Sequence, residues 1–365
     1  MKPRRRRFTG VLAVVSVAVF ACTSARVESE RIGARSDRIQ GGVAESGSSF
    51  AVAVFESGGG ICSGTLIAPN LVLTARHCVA DDDGGSFVRC SQDRFDAPRA
   101  ASRFRVATQA VADFDVAAYR VTKVLVPTET LFCGNDIALL VLDQLVPAAA
   151  AVAAAPALDG PLSKHGTKLI AIGYGTSGPS ENDEGTRRRR DNVTIECIPG
   201  DAALDCDPAD YQMTAAELAA GSGLCEGDSG SGAFGSASIA AGKPVVMGVL
   251  SRASDDGVRC RDAVYVRTDT KAAFLVDGAN EAAKAGGYAL PAWAGGAGAT
   301  ETDAAAPIEP SEEPPPAADP GATTPTTTTT TASCAIARGG SGAAGPGIAI
   351  AMLALSFAFA RRRRA

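Results

Sequence analysis

The chain has 365 residues, 46% of them apolar and 21% charged, with a net charge of −5 at pH 7. Within residues 39–360, 22 Lys and Arg face 37 Asp and Glu, so the body between the basic ends carries −15. So acidic a body argues against a nucleic-acid partner, and two histidines with no Cys-x-x-C pair argue against a metal centre.

Residues 1–21 start with Lys2 and Arg4 to Arg7 and continue in an apolar run over 11–21. The run is short for a membrane span and reads as a secretory signal peptide, with 22–38 as a propeptide. Val19-Phe20-Ala21-Cys22 partly resembles a lipoprotein signal-peptidase site, and Arg5-Arg6-Arg7-Phe8 faintly resembles a twin-arginine signal. Residues 39–290 read as all-β: apolar runs at 51–55, 71–74, 137–142, 168–172 and 244–250 lie between Gly, Pro, Asp and Ser clusters. An Ala-rich segment at 268–284 reads as a terminal helix. Eight of the ten cysteines fall in this region, enough for four disulfides in an oxidising compartment.

Residues 291–333 are rich in Ala, Pro, Glu and Thr, cannot build a core, and read as a disordered stalk. Residues 334–365 begin at Cys334, run through an apolar stretch at 343–360 long enough to span a bilayer, and end in Arg361 to Arg364. They resemble bacterial MYXO-CTERM sorting tails; a simple membrane anchor is the other reading. Either way the body is expected outside the cell or at its surface, with the arginines at both chain ends cytoplasmic.

Within the β region, Cys225-Glu226-Gly227-Asp228-Ser229-Gly230-Ser231 places a serine between glycines, just after an acid. That pattern suits a nucleophile on a tight turn whose backbone N–H groups can meet an oxyanion. A serine hydroxyl needs a base to take its proton and an acid to orient that base. Thr74-Ala75-Arg76-His77-Cys78 and Gly134-Asn135-Asp136-Ile137-Ala138-Leu139-Leu140 supply candidates for both.

Together these segments resemble the chymotrypsin/trypsin-type serine endopeptidases, in that family's order of His, Asp and Ser, over residues 39–276. Cys62-Ser63-Gly64-Thr65-Leu66-Ile67 and Gly173-Tyr174-Gly175 share the resemblance. It implies two antiparallel Greek-key β-barrels with the active site in the cleft between them, a C-terminal α-helix and no cofactor. His77 would be the base, Asp136 its orienter and Ser229 the nucleophile. The N–H groups of Gly227 and Ser229 would form the oxyanion hole, with Ser251 supporting Asp136. It pairs Cys62 with Cys78 and Cys225 with Cys260, leaving Cys90–Cys133 and Cys197–Cys206 as the remainder.

Arg38-Ile39-Gln40-Gly41-Gly42 resembles the family's activation junction. A cut after Arg38 by a trypsin-like protease would free the Ile39 ammonium to pair with Asp228. Gly223 stands where trypsin-type enzymes carry a pocket-floor aspartate, and Leu224 and Ala263 narrow the slot. The pocket therefore resembles the elastase type, for small to medium aliphatic P1 residues of protein or peptide substrates. Residues 252–258 depart from the usual Ser-Trp-Gly pattern, and Arg76 replaces an alanine. A catalytically inactive homologue serving as a binding module is the alternative, and the presence of all three triad residues argues against it. Asp81 to Asp83 read as a solvated turn, His165 as an exposed turn, Arg187 to Arg190 as an exposed loop, and Asn192-Val193-Thr194 as a glycosylation sequon.

Overall fold

The computed structural model describes residues 39–40, 42–84, 88–117 and 119–296. The signal segment, Cys22, Arg38, residues 297–333 of the stalk, Cys334 and the apolar stretch at 343–360 lie outside the described residues, whereas residues 291–296, read as the start of the stalk, include a 3-10 turn at Ala292–Ala294 with Ala294 buried. Among the described residues, no helix is long and apolar enough to cross a membrane.

Six strands form a first closed barrel: β1 (Ala51–Glu56), β2 (Ile61–Ala68), β3 (Leu71–Thr74), β4 (Phe104–Ala107), β5 (Tyr119–Leu125) and β6 (Ala138–Leu142). Their spatial order is β1-β2-β3-β6-β5-β4, every pairing is antiparallel, and β4 closes on β1. The pairing of β3 with β6 skips two intervening strands, which is the Greek-key crossing. A second set follows: β7 (Lys168–Gly173), β8 (Arg188–Cys197), β9 (Glu217–Ala220), β10 (Gly232–Gly235), β11 (Val245–Asp255) and β12 (Cys260–Arg267). Its order is β8-β7-β10-β11-β12-β9, and β9 pairs back onto β8 to close a second antiparallel barrel.

The strand sequences follow from what each face meets. In β5, Tyr119 and Val121 point inward while Arg120 and Thr122 face outward, the period of two expected of a half-covered strand. By contrast, β3 (LVLT) and β6 (ALLVL) are buried at every position and do not alternate. Their faces enter one continuous core in which Leu73 and Leu139 join Ile172, Phe234 and Val249 of the second barrel and Leu275 and Ala279 of the terminal helix. The second barrel has its own interior around Leu169, Ile195, Leu218, Leu250 and Tyr265.

A short 3-10 turn, Asp269–Lys271, precedes the helix Ala272–Gly286, which starts a few residues later than the composition implied. Leu275, Ala279 and Ala282 form its buried stripe. Asn70 of the first barrel donates to the Ala282 carbonyl at 3.2 Å and accepts from the Tyr288 hydroxyl at 2.7 Å. Trp293 Nε1 donates to the Ile67 carbonyl at 3.0 Å.

The Arg187 to Arg190 run is not an exposed loop. Arg188 opens β8, and Arg187 and Arg188 are 2% and 1% exposed. Carbonyls meet their guanidinium donors: Arg187 reaches those of Ala51 and Thr108, and Arg188 those of Gly175 and Asp183. A uniform run of arginines hides the strand's alternation, so composition read as solvent exposure. Ala80–Asp82 pairs with Phe95–Pro98, so Asp81 and Asp82 belong to a small ladder rather than a turn. His165 ends a 3-10 turn, Leu162–His165, with its Nε2 buried.

Candidate active site

His77 follows β3, and Asp136 lies just before β6, so the pairing of these two strands sets the two side chains side by side. His77 Nδ1 is 2.8 Å from Asp136 Oδ2, and the His77 backbone N–H donates to Asp136 Oδ1 at 2.9 Å. The Ser251 hydroxyl of β11 donates to Asp136 Oδ2 at 2.7 Å. Asp136 is fully buried, and burial disfavours its charge. The charge and hydrogen bond of His77, with those of Ser251 and the His77 amide, overcome this and hold the carboxyl below the ordinary range. For His77, burial is the largest single influence and opposes the imidazolium. Asp136, by charge and hydrogen bond, and Asp82 together outweigh it, so its pKa lies above the ordinary value.

Ser63 on β2 ties the first barrel to the serine loop of the second. Its N–H donates to the Ser229 carbonyl at 2.8 Å, and its hydroxyl donates to the Gly227 carbonyl at 2.9 Å while accepting from the Tyr174 N–H at 2.9 Å. Cys78, joined to Cys62, brings its sulfur to 3.7 Å from the Ser229 carbonyl oxygen. The N–H groups of Gly227 and Ser229 donate to no acceptor among the described residues. The Ser229 hydroxyl makes no hydrogen bond to His77 among them either, and such contacts commonly tighten only when substrate is bound.

Asp228 is also fully buried. It accepts from the Gly175 N–H at 2.9 Å and the Cys225 N–H at 3.0 Å. A side chain on Gly175 would collide with Asp228 and Glu226, so only glycine permits this approach. Burial pushes the Asp228 pKa up to about 7 despite those two bonds and the charge of Arg188. No salt bridge reaches it among the described residues. Ile39 is fully buried with a left-handed φ of 43°, a costly conformation for a β-branched residue.

A hollow of about 280 Å³ opens beside Ser229, lined by Leu224, Leu250, Arg252, Ala253 and Cys260 among others. Gly223, Ala263 and Ser251 do not line it. The Arg190 guanidinium occupies the space a Cβ on Gly223 would need, and it donates to the Gln40 carbonyl. Arg252 pairs with the buried Glu217 at 2.6 Å. Neither Arg190 nor Ser63 was given a role from the sequence; the first was masked by its run of arginines, and the second lay in a segment cited only as a whole for its family resemblance.

Disulfides join Cys62–Cys78, Cys90–Cys133, Cys197–Cys206 and Cys225–Cys260, a number that fits an extracellular protein. The groups close enough to hold a metal among the described residues are Cys62/His77/Cys78 and Cys90/Cys133/Glu217, whose sulfurs are all spent in these bonds.

Two closed antiparallel barrels, with a carboxylate–imidazole pair and a serine loop between them, define a protein of the double-barrel class. Residues 38–275 match the family model described as Trypsin, and the chain belongs to that family. It is accordingly a serine protease domain, acting on peptide or protein substrates.

Proposed function

We propose that this protein is an exported, surface-tethered serine endopeptidase that forms an acyl-enzyme on Ser229. The observation that carries the proposal is the Ser251–Asp136–His77 chain, with contacts of 2.7 and 2.8 Å around a fully buried Asp136. His77 takes the Ser229 proton as the hydroxyl attacks the scissile carbonyl, then delivers it to the leaving amine. Asp136 keeps the imidazole in one tautomer and stabilises its charge. The unengaged N–H groups of Gly227 and Ser229 receive the oxyanion. Water then repeats the sequence to release the acyl group.

Activation follows cleavage after Arg38. The buried, unpaired Asp228 and the left-handed Ile39 support this reading, because a freed Ile39 ammonium would relieve both. For P1, we propose small to medium aliphatic residues. Leu224, Leu250 and Ala253 give the hollow an apolar wall, and its carboxylates, Glu226 and Asp255, are exposed rather than buried as a pocket floor. The segments outside the described residues carry the export and tethering part of the proposal.

The test is a P1-varied peptide library on full-length protein cut after Arg38 by an added protease. Ala, Val or Leu should lead, with Arg and Lys at least about 100-fold slower, equivalent to about 2.7 kcal/mol. Ser229→Ala should fold, keep its disulfides and hydrolyse nothing. An active Ser229→Ala, or Arg as the leading P1 residue, would overturn the corresponding half of the proposal.

A further inference from the structure

His77 marks where the leaving group departs, because its imidazolium must protonate the leaving amine. His77 lines a second hollow of about 180 Å³ with Ile61, Cys62 and Glu56, and this hollow shares no lining residue with the one beside Ser229. The His77 hollow shares Glu56, Gly60 and Ile61 with a larger groove of about 590 Å³. The two hollows are therefore continuous along Glu56, Gly60 and Ile61.

The groove combines aromatic and acidic side chains. Its apolar floor is Phe55 and Phe114, packed edge-to-face with centroids 6.0 Å apart, together with Ile61. Four carboxylates line it: Glu56, Asp113, Asp115 and Glu184. Glu56 is neutralised by Arg103 at 2.8 Å and Arg99 at 3.0 Å. Asp113, Asp115 and Glu184 are exposed and have no ion pair among the described residues. Besides the two arginines on Glu56, Arg105 approaches the groove, with its guanidinium 5.4 Å from the Phe114 ring centroid. Aromatic faces beside unpaired carboxylates suit a long side chain with an apolar stem and a cationic head. The three carboxylates do not converge closely enough to form a metal-binding group.

Resting on the peptidase reading above, we propose that this groove selects Lys or Arg within the first three residues after the scissile bond, read by Asp113, Asp115 and Glu184. With the aliphatic P1 preference proposed above, the two sides of the cleft would impose different rules on one substrate.

The experiment uses the activated full-length enzyme and quenched peptides identical up to the scissile bond, with Lys, Ala or Glu at each of the three following positions. Lys should exceed Glu in kcat/KM by about tenfold at one or more positions at low salt, and the gap should shrink as salt rises. The variant D113N/D115N/E184Q should lose the gap. Asparagine at 113 keeps the acceptor that meets the Asp115 N–H at 2.8 Å, so the turn is preserved. A methyl ester with the same acyl side, whose leaving group never enters the groove, should be turned over equally by both proteins. Absence of a Lys preference, or its persistence in the triple variant while ester turnover is normal, overturns the groove assignment. Absence of ester turnover in the activated enzyme overturns the peptidase reading and the groove assignment with it.

Discussion

Asp136 and Asp228 are equally buried, one beside each barrel's half of the cleft, yet their charges are settled in opposite ways. Asp136 has an imidazole, a hydroxyl and an amide around its oxygens, and its carboxyl is held low. Asp228 has only two amides, and its carboxyl is pushed up to about 7. Burial alone therefore decides nothing. The difference is a titratable cationic partner, which the first site has built in and the second receives, on the proposed scheme, only after a cut.

Removing the charge of Asp136 is the most severe way to break the contrast. Asp136→Asn should lower kcat by on the order of 10⁴ with the fold intact, because the imidazole loses both its tautomer and its counter-charge. The acid limb of kcat/KM, set above the ordinary histidine value by Asp136 and Asp82 acting against burial, should move to lower pH. Stopped assays across pH 5 to about 9 would check both.

The Asp228 side can be sharpened in the uncut protein, using Arg38→Gln to hold it there. Because the folded pKa lies above the unfolded one, the folded protein binds the extra proton, and stability falls as pH rises from about 4 to about 7. The loss should reach on the order of 4 kcal/mol, and Asp228→Asn in the same background should flatten it. Urea unfolding at a series of pH values measures the slope. An equally steep fall in the double variant would place the cost elsewhere. The smallest effect belongs to Ser251→Ala, which removes one hydrogen bond from Asp136 and should cost about tenfold in kcat/KM, roughly 1.4 kcal/mol.

Much of this geometry was legible because the motifs specify backbone as well as chemistry. An aspartate just before an uninterrupted apolar strand falls beside the histidine that follows the neighbouring strand, once the two strands pair. The buried arginines of 187–190 were not legible. A guanidinium placed inside is stabilised by carbonyls from distant segments, Ala51 and Thr108 for Arg187, and nothing near the run announces them. The pocket was legible in part: Leu224 lines the hollow, whereas Gly223 and Ala263 do not. The acidic groove joins residues 55–61, 112–115 and 184–185, segments with no common motif.

The two ends of the described chain are exchanged between the barrels. Val43–Ala44 comes before the first barrel in sequence but pairs with Arg188 and Arg189 of the second. Ala272–Gly286 follows the second barrel but lays its apolar stripe on the first, and Trp293 fastens the chain to Ile67. Tension applied at the two ends would thus pull each barrel through its neighbour's terminal segment, loading the seam between them in shear instead of peeling strands from one barrel. A protease built this way can be held by either end, and the strain would be borne by the clasp, with the hydrogen bonds around His77 and Asp136 lying inside it.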